Sequence, residues 1–221
     1  MSQSRITFAL VVVLLLAGAV TSLAQESDLI AVIKSDAPLK EKMDACRQLA
    51  RVGTKDAVPA LAALLGDEEL SHMARYALEP IDDPSVDEAL REALGKLKGR
   101  PLVGVIGSLG VRRDAKAVEP LAKMLGHSDA DAAATAARSL GKIATAEAAD
   151  VLTASLPKAA PALRAAVADG CLGCAEAMLA QGKRTEAAAM YDLVGKADLP
   201  KHFRIAAVQG ALLARQPAAD R

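Results

Sequence analysis

The chain has 221 residues, of which 27 are basic and 27 acidic, so its formal net charge is zero at neutral pH. A hydrophobic content of 52% excludes an intrinsically disordered protein, and the balanced charge gives no global field that would attract nucleic acid. Only 2% of the residues are aromatic, so the core must consist of Ala, Leu, Val, Ile and Met, which favours helices. The three cysteines are too few for a disulfide framework.

Residues 1–24 have the pattern of a cleavable signal peptide. Arg5 supplies the positive start, Phe8–Val20 form the apolar run, and a small-x-small triplet ends at Ala24. The run of 13 residues is shorter than the roughly 20 that a membrane-spanning helix needs, and no cysteine follows it to accept a lipid. We therefore predict cleavage after Ala24 and a periplasmic or secreted protein, with an uncleaved membrane anchor as the alternative.

Beyond a short segment at 25–37, stretches rich in Ala and Leu alternate with short breaks. No run alternates β-branched and polar residues as a strand would, so the sequence predicts an all-α protein. Helices are expected to begin near five of the ten prolines, Pro38, Pro84, Pro101, Pro161 and Pro200. The expected N-caps are Thr54, Asp83, Ser128 and Thr145.

Leucines recur at near-constant intervals in two parallel series. Steps of 29, 31 and 31 residues separate Leu61, Leu90, Leu121 and Leu152, and the same steps separate Leu49, Leu78, Leu109 and Leu140. Two helices per unit therefore repeat together. A repeat of this size cannot bury its apolar face alone, so the sequence predicts an α-solenoid, in which successive helix pairs stack around a shared core.

Two of these units, Ala45–Asp67 and Ala136–Leu156, resemble the short HEAT repeats of the phycobilisome-lyase type. The resemblance covers about residues 38–157 as four repeats, and it implies a solenoid of about five helix pairs in total. Residues 158–221 are expected to form a divergent C-terminal repeat and cap, in which Cys174–Val194 is also similar to a tetratricopeptide unit. The family consists mostly of protein-binding scaffolds, so the resemblance implies that role here.

The third unit departs from the pattern. Arg112, followed by Arg113, stands where the other units have Val52, Ile81 and Ile143. The same helix contains three glycines, at positions 104, 107 and 110, which weaken a helix. One interpretation is close helix contact along the glycines with solvated arginines. The other is an anion or carboxylate site built from Arg112 and Arg113 with Arg100 or Lys116.

In the fifth unit, Cys171 and Cys174 fall 31 residues after Leu140 and Ile143, on the stripe that faces the core. There a free cysteine behaves as a small hydrophobic residue. The alternative is a local disulfide or thiol-exchange site, because Cα atoms three apart on a helix are about 5 to 5.5 Å apart. Haem attachment is excluded because residue 175 is Ala, and a zinc site lacks a second ligand pair. We expect no metal or other cofactor.

Sequence motifs of common catalytic sites, such as GxGxxG, HExxH and GxSxG, are absent. We predict a non-catalytic exported scaffold that binds a protein or peptide on the concave face of the solenoid. We expect no nucleic-acid or membrane partner after signal cleavage, and the oligomeric state is left open. Candidate binding residues are Asp87, Arg91, Arg112, Arg113, Lys116 and Glu119. The alternative function is a thiol-disulfide protein that uses Cys171 and Cys174.

Overall fold

The computed structural model describes residues 24–216, which contain twelve α-helices, three 3₁₀ turns and no strand. The chain divides into two compact units, Met1–Ala89 and Leu90–Arg221. Residues 1–23 lie outside the described part, and with them nearly all of the predicted signal peptide. The prediction of export and the anchor alternative therefore both stay predictions.

The helices follow one another with short connections. Their bounds are α1 24–34, α2 Leu39–Val52, α3 Val58–Ala62, α4 Ser71–Leu78, α5 Pro84–Leu94, α6 Gly99–Arg112, α7 Val118–Met124, α8 Ala130–Ile143, α9 Ala146–Ser155, α10 Pro161–Ala180, α11 Arg184–Lys196 and α12 Lys201–Arg215. The 3₁₀ turns are Lys55–Ala57, Ala115–Ala117 and Leu156–Lys158.

In the first unit, α4 packs against α2 and α3, and Leu49 and Leu78 are fully buried. A buried carboxylate holds α1 to the turn after α2. The backbone N–H and the hydroxyl of Thr54 donate to Glu26 Oε1 at 2.6 and 3.0 Å. Such charge-assisted bonds are about twice as strong as neutral ones, so Glu26 anchors the first described helix.

In the second unit, α6, α8 and α10 pack side by side and form what we call the helix stack. The second helices α7 and α9 lie along this stack, α11 packs on α10, and α12 packs on α11. Leu109 and Leu140 are fully buried in the stack, and Leu121 and Leu152 are fully buried in α7 and α9. The predicted all-α solenoid of repeated helix pairs is confirmed.

Most of the predicted helix boundaries are confirmed. Thr54 and Thr145 cap the segments that follow them, and Asp83 Oδ1 accepts from the backbone N–H of Ser85 at 2.9 Å. The prediction for Ser128 is wrong, because Asp129 caps α8. Its Oδ1 accepts from the backbone N–H groups of Asp131 at 2.9 Å and Ala132 at 3.3 Å, so one carboxylate satisfies two free donors.

Glycines bring the helices of the stack into close contact. A Cβ added at Gly110 would lie 2.8 Å from the Cα of Ser139, whose hydroxyl donates to the carbonyl of Ile106 at 2.9 Å. A Cβ at Gly141 would lie 2.7 Å from the Cα of Gly170. Side chains at these positions would collide with the neighbouring backbone. Gly110 therefore makes the close helix contact that was one of the two interpretations of the glycines in α6.

Candidate partner-binding surface

Arg91, one of the predicted binding residues, is held within the second unit. Its guanidinium pairs with the carboxylate of Asp114, and the two side chains are only 20% and 6% exposed. Asp114 Oδ1 also accepts from the backbone N–H of Lys116 at 3.0 Å and so caps the 3₁₀ turn before α7. Arg91 therefore joins two successive repeats and does not present its charge to solvent.

Arg112, Arg113 and Lys116 lie in one short segment at the C-terminal end of α6. Arg112 is half-buried, whereas Arg113 and Lys116 are exposed. Arg113 adopts a left-handed backbone with φ 55° and caps α6 through its N–H, which donates to the carbonyl of Gly110 at 3.2 Å. Positive side chains suit a helix C-terminus, so the cluster has a structural reason to be there without any ligand.

The two remaining candidates are Asp87 and Glu119. Asp87 is half-buried and belongs to the first unit. Glu119 lies on α7, where Lys123 Nζ donates to its Oε1 at 2.8 Å between two highly exposed side chains. This hydrogen bond, with the charge of Lys123, lowers the pKa of Glu119 below its usual value. Arg112, Arg113 and Lys116 therefore lie together in one segment, and Glu119 is paired on its own helix.

Cys171 and Cys174 are free thiols, both fully buried on α10. Burial raises the pKa of Cys171 to about 12 and that of Cys174 to about 11. A redox-active cysteine needs the opposite, a lowered pKa and an accessible sulfur. The packing interpretation is confirmed by this burial, and nothing in the described chain supports the thiol-disulfide alternative.

A solvent-open trough lies between the second helices α9 and α11, with a volume of about 300 Å³. On α9 its lining residues follow the spacing of a single helix face, and on α11 they again share one face. The lining consists of Ala146, Ala149, Asp150, Thr153, Met178, Glu186, Ala189 and Met190. We call this feature the α9–α11 trough.

The trough combines an apolar floor with a charged rim. Ala149, Met178 and Met190 are buried at its base, whereas Asp150 and Glu186 are exposed at its edge. Neither carboxylate forms an ion pair within the described residues, where Asp44, Asp114, Glu119 and other acids do. Such a surface can hold an apolar side chain and a positive charge together.

Sequence reasoning did not find the trough. Half of its lining consists of three alanines and a threonine, residue types that carry no chemical signal by themselves. The available signal was the spacing of Ala146, Ala149 and Thr153, a small-residue face on a second helix that a neighbouring repeat leaves uncovered.

Among residues 24–216, no helix is both long and apolar enough to cross a membrane. In the same range, no three or more His, Cys, Asp or Glu side chains converge as a metal site would require.

Comparison with protein families gives a direct match over α6 to the middle of α10. Residues 103–170 match the family model for HEAT repeats. This segment is built of HEAT repeats. The matched segment contains the third and fourth helix-pair repeats, part of α10 and one wall of the α9–α11 trough. The resemblance to HEAT repeats that the sequence predicts is therefore confirmed.

Three solved structures are similar to this chain. An engineered protein is 18% identical, with a TM-score of 0.50, and the match covers 85% of this chain and 96% of that one. The complex of CpcE and CpcF of phycocyanin lyase from Nostoc sp. PCC7120 is 19% identical over 88% of this chain and 77% of that one, with a TM-score of 0.45. Human deoxyhypusine hydroxylase is 17% identical over 84% of each chain, with a TM-score of 0.39. No curated protein sequence matches the chain.

Proposed function

We propose that this HEAT-repeat protein is an exported, non-catalytic scaffold that binds a protein or peptide through the surface of its second helices. The observation that carries the proposal is the α9–α11 trough, which is apolar at its base and has two carboxylates without ion-pair partners at its rim. Stacked repeats place second helices in a row, which suits extended ligands. Export rests on the predicted signal peptide alone.

The lining of the trough supports one class of ligand. Met178 and Met190 have flexible, polarizable side chains that adapt to an inserted apolar group. Asp150 and Glu186 favour a lysine or arginine beside that group, because charge-assisted hydrogen bonds to carboxylates are stronger than neutral ones. The proposed ligand is a peptide segment with an apolar anchor and a neighbouring basic residue.

Selection from a displayed library of random peptides tests this proposal. We expect the selected peptides to combine Leu, Ile or Met with nearby Lys or Arg. The affinity of these peptides for the protein should fall at least tenfold when Thr153→Arg fills the trough. It should fall by a similar factor in the double variant Asp150→Asn, Glu186→Gln, which removes the two negative charges. Ala154→Arg is the matched control, because Ala154 is an exposed neighbour on α9 that does not line the trough.

The proposal is wrong if the selected peptides bind Thr153→Arg and Ala154→Arg equally well. Export is checked separately by expressing the full chain in a bacterium and measuring the mass of the protein in each fraction. We expect a periplasmic or secreted product that begins at Gln25. An intact N-terminus in the cytosol would contradict export without affecting the peptide result.

A further inference from the structure

The last described helix exposes an unusual amount of apolar surface. Seven large hydrophobic residues are exposed in the described chain, and four of them lie on α12. These are Ile205, Val208, Leu212 and Leu213, which are 46%, 57%, 59% and 53% exposed. Isolated exposed apolar residues are ordinary, but a cluster of this kind marks an interaction surface.

The distribution of residues on α12 is the reverse of the usual one. Its buried face, apart from Phe203, consists of the small residues Ala207, Gly210, Ala211 and Ala214. The larger Ile205, Val208 and Leu212 are spaced by three and four residues and form a single stripe on the outer side. Burying those three would stabilise the fold more than burying alanines, so their exposure has no explanation in the stability of this chain alone.

A groove runs beside this α12 stripe. It lies between α11 and α12, has a volume of about 260 Å³, and includes Val208 and Leu212 from the stripe with Tyr191, Gly195 and Ala207. An apolar stripe with a groove along it is the arrangement that receives an amphipathic helix, whose side chains at three- and four-residue spacing interlock with it.

The unpaired charges on α12 and at the groove are positive. Helix α12 contains no acidic residue, and Lys201 and Arg204 are exposed on it. The acidic side chain at the groove, Asp192, is paired with Arg215 at 2.5 Å. The uncompensated charge at this surface is therefore positive, and a partner with acidic flanks is complementary to it.

We propose that the outer face of α12 docks an amphipathic helix of a partner protein, with Leu or Ile at three- and four-residue spacing and Asp or Glu along its flanks. A second copy of this chain fits less well, because its α12 contains no acidic residue to complement Lys201 and Arg204. A lipid surface also fits less well, since the exposed face of α12 lacks the aromatic side chains that favour the membrane interface.

A displayed library of helical peptides of about 20 residues, long enough to form stable helices in a folded context, provides the probe. We expect the selected sequences to carry Leu or Ile in a three-four spacing with acidic flanks. Val208→Glu and Leu212→Glu should each weaken their binding at least tenfold. Lys201→Glu with Arg204→Glu should also weaken binding and reduce its dependence on salt concentration.

Val111→Glu is the matched control, because Val111 is 52% exposed but lies on α6. This variant should bind the selected helices with unchanged affinity. Circular dichroism verifies that each variant is folded. Selected helices with basic flanks, or binding that survives Val208→Glu and Leu212→Glu, would overturn the proposal.

The other occupants give distinct results that also overturn it. A dimer in sedimentation equilibrium that Val208→Glu abolishes would identify a second copy as the occupant. Co-sedimentation with phosphatidylglycerol vesicles that Leu212→Glu abolishes would identify an anionic lipid surface. These variants lie outside the α9–α11 trough, so failure here leaves the proposed function untouched.

Discussion

The helix stack and the C-terminal pair, α11 with α12, both pack helices closely at glycines, but the atoms that contact those glycines differ. In both, glycine allows two helices to approach closely. Gly141 and Gly170 in the stack face the backbone of the neighbouring helix, whereas Gly210 in the C-terminal pair faces the ring of Tyr191. Backbone atoms, which cannot move aside, therefore set the distance between helices in the stack. In the C-terminal pair, the side chain of Tyr191 sets the distance between α11 and α12.

The two regions also differ in how completely they are covered. Helix α8 is packed by α6 on one side and by α10 on the other, and its small residues are buried. Helix α12 packs on α11 but leaves its large aliphatic residues in solvent. The comparison teaches that the helices of the stack bury their apolar faces against one another, whereas α12 leaves an apolar face in solvent.

The largest effect is expected from adding one methyl group to the stack. In Gly170→Ala the new Cβ would collide with the carbonyl of Ala137 and lie 2.9 Å from Leu152 Cδ2, so α8 and α10 must separate. We expect a loss of about 3 kcal/mol in the free energy of unfolding, measured by urea denaturation. Gly107→Ala is the matched control, because the nearest atom there is Thr135 Cγ2 at 3.9 Å. Ala is the better helix former, so this control should be neutral or gain up to about 1 kcal/mol.

The next effect concerns the ion pair that links the second and third repeats. Arg91→Leu leaves the carboxylate of Asp114 mostly buried without its cation, so we expect a loss of about 2 kcal/mol. The exposed pair on α7 offers the contrast: Lys123→Ala should cost less than about 1 kcal/mol. Equal losses in urea denaturation would show that Arg91 does not link the repeats.

A smaller effect is expected in the C-terminal pair. The Cβ of Gly210→Ala would lie 2.6 Å from Tyr191 Cδ1, but a ring can rotate away where a backbone cannot. We expect a loss of about 1 to 2 kcal/mol, less than that of Gly170→Ala. If Gly210→Ala costs as much as Gly170→Ala, the distinction between the two regions fails.

At neutral pH the smallest effect is expected from the buried thiols, because their contribution appears only at alkaline pH. Burial raises the pKa of Cys171 from 9.0 to about 12 and that of Cys174 from 9.0 to about 11, so above pH 9 the unfolded chain loses protons that the folded chain keeps. Stability is then intact below pH 9 and falls as the pH rises above it, by up to about 1.4 kcal/mol per pH unit for each thiol. The double variant Cys171→Ala, Cys174→Ala should show a shallower decline between pH 9 and about pH 10.5 than the unmodified protein. Parallel declines would contradict the raised pKa values.

Much of the fold could be predicted because repetition is visible in the sequence. Leu49, Leu78, Leu109 and Leu140 lie at near-constant steps of 29, 31 and 31 residues, and all four are buried in the first helices of their repeats. The same periodicity correctly placed Cys171 in the core. Periodicity works here because each repeat makes the same local contacts, so a position in one unit predicts the environment of its counterpart in the next.

The candidate site could not be predicted in the same way. The pairing of Arg91 with Asp114 joins residues 23 apart on different helices, and no spacing rule indicates it. The α9–α11 trough depends on the distance between two helices that are not consecutive in the chain. Residue types such as Ala146 and Thr153 are compatible with a buried, exposed or ligand-binding position, so only their neighbours decide among these.

The sequence alone determined the helical class, the repeat and the apolar positions that face the core, because these depend on local spacing and on the hydrophobic effect. The tertiary structure decided which charges are paired and which surfaces stay open, because both depend on distances between separate helices. Helix α12 illustrates this division: its sequence predicts a helix, but only its packing on α11 shows that alanines are buried and Val208 and Leu212 face solvent.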